Sequence, residues 1–94
     1  MSAKVIWQDL PDELKQIKRI FLIRKVSHEP SEPIECTPAQ YAKSRGYVYI
    51  NYECEGYYYN VAYDLDTIKE CLRMNPNDPL YNFIYKLLTG EGYE

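Results

Sequence analysis

The 94-residue chain contains no apolar run near the ~18 residues needed to cross a bilayer. Its first residues also lack the basic segment and apolar core of a secretory signal. Together these absences predict a soluble, unexported, cytoplasmic protein with no membrane partner. Only four glycines occur, Gly46, Gly56, Gly90 and Gly92, and each marks an expected turn or chain end, so no glycine-rich phosphate loop can be assembled. One histidine, His28, and three cysteines, Cys36, Cys54 and Cys71, make up the whole supply of soft ligands. The odd cysteine count without short paired spacings is unlike the disulfide framework of a small secreted domain, and a reducing cytosol is the simpler reading. Positive charge is scarce after residue 46. Residues 1–46 carry eight basic and six acidic groups, whereas residues 47–94 carry three and eight. The acidic half matches phosphate poorly and a basic protein surface better.

What the chain has in excess is tyrosine, with eleven of them beside two phenylalanines and one tryptophan. Tyrosine works half-buried, with an apolar ring and a phenol that needs a polar partner, which favours sheet surfaces and interfaces over a dry core. At 46% hydrophobic and 27% charged, the composition is that of a globular chain of one domain, residues 1–94.

Residues Tyr47 to Asp64 contain two alternating segments that meet at Glu55-Gly56. With those two residues as the turn, Cys54 lies opposite Tyr57, Tyr52 opposite Tyr59, Ile50 opposite Val61 and Val48 opposite Tyr63, all on one face. The other face pairs Glu53 with Tyr58, Asn51 with Asn60, Tyr49 with Ala62 and Tyr47 with Asp64. A one-residue slip would turn the apolar set of one strand outward, so the pattern selects this register. Glu is a poor residue at positive φ, which makes the turn chemistry weaker than Asn-Gly would be.

Around this hairpin, Asp9-Leu10-Pro11 with Asp12 and Glu13 predicts a helix to about Lys18, with Asp9 as its cap. A strand from Arg19 to Val26 follows, its apolar centre suited to cover on both faces. One long helix from Pro11 to Val26 is the alternative. Prolines and glutamates make Ser27 to Thr37 a loop. Thr37-Pro38 then reads as a cap and first-turn proline opening a short helix through Ser44, closed by Gly46. Asp64 caps a helix with Leu65, Ile68, Cys71 and Leu72 inward, ending near Asn75-Pro76. Asp78-Pro79 starts a last helix, in which Leu80, Phe83, Ile84, Leu87 and Leu88 form the buried stripe before Gly90. The expected class is α+β: a small antiparallel sheet built around the 47–64 hairpin, with two C-terminal helices and one or two N-terminal helices packed on it.

No catalytic site is expected, and no metal or cofactor. His28 and the three cysteines match a Cys3His zinc inventory, but no two stand at ligand spacing. A Cys36–His28 nucleophile would sit in a glutamate-rich loop that disfavours the thiolate. Asp64 and Asp66 read as a helix cap and a first-turn acid, and Glu53 and Glu55 as charges flanking a turn.

The functional candidate is the outer hairpin face, with partner-binding residues Tyr47, Tyr49, Glu53, Glu55, Tyr58 and Asp64. The bland alternative is that the terminal helices cover this face as core. Exposed tyrosines among carboxylates fit a basic patch on a larger protein, which the chain would modulate or inhibit. The alternative is a single-stranded nucleic-acid-binding module combining those tyrosines with the basic cluster Lys15, Lys18, Arg19, Arg24 and Lys25. Homo-oligomerisation stays open.

Two segments resemble known families. Trp7-Gln8-Asp9-Leu10-Pro11-Asp12-Glu13-Leu14 with Ile20-Phe21 resembles the opening helix of an F-box, which implies adaptor binding. Thr37-Pro38-Ala39-Gln40-Tyr41-Ala42-Lys43-Ser44-Arg45-Gly46 is similar to the first helix of an excisionase-type helix-turn-helix, which implies a recognition helix next. A proline loop follows the first segment and a tyrosine hairpin the second, so neither carries its function over. In size, acidity and lack of catalytic equipment the chain resembles phage-encoded inhibitors of host nucleases and other nucleic-acid enzymes.

Overall fold

A computed structural model describes residues 6–22 and 33–90. The elements are β1 (Gln8–Asp9), α1 (Asp12–Lys15), β2 (Arg19–Leu22), β3 (Pro33–Ser44), β4 (Tyr47–Cys54), β5 (Tyr57–Tyr63), α2 (Leu65–Met74) and α3 (Pro79–Thr89). All strand pairs are antiparallel. The long β3 pairs β4 along one edge, while its other edge pairs β2 at Pro33–Cys36 and β1 at Gln40–Tyr41, and β5 closes the far side of β4. The architecture is the expected α+β fold, a small antiparallel sheet with helices packed on it.

The hairpin has the register its alternation dictates, from Cys54 opposite Tyr57 through Ile50 opposite Val61 to Val48 opposite Tyr63. Glu55 and Gly56 take φ of 53° and 87°, the two positive values of a type I′ turn whose twist matches that of the strands. Val48, Ile50, Tyr52 and Cys54 alternate with more exposed neighbours. Their buried face packs on Ile68 of α2 and on Leu80, Ile84 and Leu87 of α3, with Leu10 and Leu14 completing the core. Both C-terminal helices start where their caps stand: the Asp64 carboxylate accepts from the Thr67 backbone N–H at 2.8 Å, and that of Asp78 accepts from Leu80 and Tyr81 at 2.9 and 3.1 Å. Gly90, at φ 79°, ends α3 in the left-handed region.

Several N-terminal expectations are corrected. Residues 37–44 form the second half of β3, not a helix. Burial of Cys36 and Ala42 between neighbouring strands outweighs the helix-like local signal. Pro38 is tolerated because it falls between the stretches of β3 that pair β2 and β1, beside a register shift between Pro38 and Gln40. Residues Pro33 to Thr37 are likewise strand, not loop.

The first helix is a single turn, and Asp9 does not cap it; Asp9 lies in β1 and pairs with Gln40 of β3 instead. Arg19–Leu22 is a strand, so one long helix from Pro11 is excluded. Among the described residues that strand is covered on one face only. Arg19 and Phe21 point into the domain, whereas Ile20 is 68% exposed. The expectations for Ile23 to Glu32, His28 among them, lie outside the described residues.

The cysteine reading is also corrected. Cys36 and Cys54 form a disulfide with their Cα atoms 4.5 Å apart. The register that sets Thr37 opposite Glu53 puts these two residues face to face. Because Cys54 flanks a two-residue turn, its own N–H and C=O point toward β5, so toward β3 it is a non-hydrogen-bonded position, where Cα atoms come within about 4.5 Å. The bond removes the argument for a reducing compartment that rested on unpaired cysteines.

Candidate functional site: the uncovered sheet face

α2 and α3 both lie against the inner face of the sheet. Among the described residues no helix lies on the outer face, where alternation places Tyr47, Tyr49, Asn51 and Glu53 of β4 beside Tyr58, Asn60 and Ala62 of β5. β3 adds Thr37, Gln40, Ala42 and Ser44 to that face, and β1 adds Asp9. Continuing the β1–β3 register by one residue sets the half-buried Trp7 opposite Ala42.

The tyrosines form two groups. Tyr47 and Tyr49 stack at one end with ring centroids 6.1 Å apart and planes 20° apart. Tyr49 stands between the small Ala42 and Ala62, and Tyr47 is opposite Ser44. Tyr58, 63% exposed, stands at the other end directly opposite Glu53. Glu53 and Tyr49 stand four positions apart on β4, roughly 13 Å. A row of amides fills the interval: Asn51 donates to Gln40 at 3.5 Å, and Gln40 donates to Asp9 at 3.4 Å. The Asn51 Oδ1 is shielded from solvent and has no hydrogen-bond partner among the described residues. Beside Glu53 and Tyr58 the face sinks into an open basin of about 440 Å³, lined also by Thr37, Pro38, Gln40, Asp9 and Lys15.

Charge is distributed unevenly. Glu53 and the turn residue Glu55 are both exposed at the Tyr58 end. Asp64 stands apart from them, and its carboxylate is held below its ordinary pKa by the hydrogen bond from the Thr67 backbone, so it is committed to helix α2. The basic cluster does not assemble on this face. The Arg19 guanidinium turns inward to pair with Asp78 and lies 4.3 Å from the centroid of the Tyr81 ring. Lys15 is 3.9 Å from Asp9, and Arg24 and Lys25 lie outside the described residues.

No thiolate nucleophile is available at Cys36, which is bonded to Cys54. Burial pushes the half-buried Cys71 thiol upward in pKa, away from the reactive form. Among the described residues no three His, Cys, Asp or Glu side chains come together as a metal site.

The Tyr and Glu members of this face follow from strand alternation alone. Asp9, Thr37, Gln40 and Trp7 do not, because their segments carry helix signals and reach the face only through long-range pairing. No helix among the described residues is long and apolar enough to cross a membrane. No protein-family model, no curated protein and no solved structure matches this chain.

Proposed function

We propose that the chain is a non-catalytic binding protein that docks the Tyr58 end of its open sheet face on a basic patch of a larger protein and modulates or blocks it. The observation that carries this reading is the pairing of an exposed tyrosine with an exposed carboxylate, Tyr58 opposite Glu53, with Glu55 at the adjoining turn tip and no helix over them among the described residues. A rigid aromatic ring supplies contact area at low entropic cost, and carboxylates around it steer a cationic partner. Tyr47 and Tyr49 extend the surface at the far end. Asp64 adds charge at its border, with one carboxylate oxygen engaged as the cap of α2. An enzyme that handles nucleic acid carries a basic surface by necessity, and a small acidic protein seated there would inhibit it, as phage-type inhibitors of host enzymes do. The competing use of the tyrosines to stack single-stranded bases is weakened by the inward turn of Arg19 and by the pairing of Lys15 with Asp9.

The test compares wild type with Glu53→Gln/Glu55→Gln and with Tyr58→Ala, each titrated against a partner recovered from the native host and against a single-stranded oligonucleotide. Removing both carboxylates is expected to weaken protein binding and its salt dependence, and removing the ring to weaken it by about 2 kcal/mol or more. Tight oligonucleotide binding by the wild type, strengthened by the Gln variant, would overturn the reading in favour of nucleic acid.

A further inference from the structure

β5 forms one edge of the sheet. β5 pairs β4 on one side, and among the described residues no strand pairs its other side. Natural edge strands are usually protected by a lysine, a proline, a bulge or very short length. β5 has none of these: its seven residues, YYYNVAY, include no charge and no proline, and its ladder with β4 is regular from end to end.

The direction of its free backbone groups follows from the turn. In a hairpin closed by two residues the flanking pair is hydrogen-bonded, so Tyr57, Tyr59, Val61 and Tyr63 direct N–H and C=O toward β4. Tyr58, Asn60 and Ala62 therefore direct theirs outward, and all three residues are exposed. They are evenly spaced about Asn60. An antiparallel copy of β5 related by a two-fold axis at Asn60 sets Asn60 against Asn60, Tyr58 against Ala62 and Ala62 against Tyr58. Every outward-facing group then meets an outward-facing group, giving about six backbone hydrogen bonds from three pairs. A large side chain faces a small one at the two outer pairs. Tyr57, 69% exposed in the single copy, falls opposite Tyr63 on the helix side.

The geometry points to a two-fold dimer of this chain, formed by antiparallel pairing of β5 with β5 about Asn60 into one continuous sheet. The absence of charge in this strand is what suits it to a second copy, because the chain has a net charge of −3 and any contact made through its acidic residues would repel itself. The dimer also joins the two separated tyrosine groups. Tyr58 of one copy lies in the same cross-strand row as Ala62 and Tyr49 of the other, so each Tyr58 end adjoins a Tyr47–Tyr49 end across the axis.

The experiment is a charge swap at the axis, read by sedimentation equilibrium of the full chain. Wild type is expected to sediment at twice the 11.2 kDa chain mass. Asn60→Lys and Asn60→Glu each set like charges directly opposite one another and are expected to be monomeric, whereas their equimolar mixture recovers the dimer. Amide exchange of the wild type supplies a reading that needs no variant: the Tyr58, Asn60 and Ala62 N–H groups are expected to be protected at high concentration and to exchange freely on dilution. A wild type that remains monomeric at about 1 mM, the weakest affinity worth the name, overturns the proposal. So does a dimer that survives both single substitutions, or one whose Tyr58, Asn60 and Ala62 amides exchange freely.

Discussion

Arg19 on β2 and Asp78 at the start of α3, 59 residues apart in the chain, form an ion pair whose carboxylate also caps the helix. Burial works against the guanidinium charge, but the hydrogen bond to Asp78, with the electrostatic effects of Tyr81 and Asp78, more than compensates, and its pKa is raised. Both side chains are largely shielded, so removing one leaves the other charged and poorly solvated. Asp78→Ala is expected to cost about 3 kcal/mol or more, combining a lost cap with an unpaired arginine. The double variant Arg19→Met/Asp78→Ser keeps a cap and removes the stranded charge, and should recover most of that loss. Urea denaturation of the three proteins decides it. Equal stability of the single and double variants would show that the pair is not coupled.

A second buried pair sets the response to alkali. The Tyr52 and Tyr63 hydroxyls lie 2.7 Å apart in the core. Burial first, and then the neighbouring phenol, raise the pKa of Tyr52; burial pushes Tyr63 up to about 12 despite the opposing effect of its hydrogen bond with Tyr52. An unfolded tyrosine ionises near 10. Because the folded values are raised, the stability they carry is fully present below about pH 10 and is lost as pH rises through about 12. The denaturation midpoint should therefore fall steeply over that interval. Tyr63→Phe should flatten part of the fall while costing about 1–2 kcal/mol at neutral pH, since the Tyr52 hydroxyl loses its partner. An unchanged alkaline profile in that variant would refute the assignment.

The Cys36–Cys54 bond joins residues separated by 18 positions. A cross-link of that span stabilises by about 3 kcal/mol through the unfolded chain, which for a domain of this size corresponds to roughly 12–24 °C in Tm. Reduction is expected to lower Tm by that order, and Cys36→Ala/Cys54→Ala should behave like the reduced protein. Cys71→Ala should leave the redox effect intact. A Tm indifferent to reductant, or an intact mass showing three free thiols in air-purified protein, would rule the bond out.

Sequence legibility followed the range of the interactions. The hairpin was legible because two-residue periodicity and a two-residue turn lie within one short stretch, and α2 and α3 because Asp64, Asp78-Pro79 and Gly90 mark their ends locally. β3 was not, since Thr37-Pro38 has the chemistry of a helix start and Ala39 to Lys43 contains good helix formers. Only pairing with β4 on one side and β1 and β2 on the other makes that stretch a strand. The disulfide was hidden for the same reason: Cys36 and Cys54 become neighbours only once β3 is a strand. On the candidate face, alternation exposes the tyrosines and Glu53, while the amide row and the basin depend on β1 and β3 and could not be read from the hairpin.

The turn offers the cleanest test of local against global preference. Glu55 has φ 53°, the single positive value among described non-glycine residues. Its position in the type I′ turn is set by the apolar register of Val48, Ile50, Tyr52, Val61 and Tyr63, which no slip can preserve. The strand pairing thus imposes a conformation that the residue itself disfavours, at a cost tolerated because Glu55 is exposed and its side chain is unconstrained by packing. Asparagine adopts this conformation far more readily, and Asn-Gly is the preferred pair for this turn. Glu55→Asn should therefore stabilise the protein by about 0.5–1 kcal/mol, without altering the cross-strand amide contacts between Ile50 and Val61. Glu55→Val, branched at Cβ, should destabilise it by a similar amount or more. If the Asn variant is no more stable than wild type while the Val variant is tolerated, the backbone at residue 55 is not in the left-handed region, and the two-residue turn that fixes the whole register is wrong.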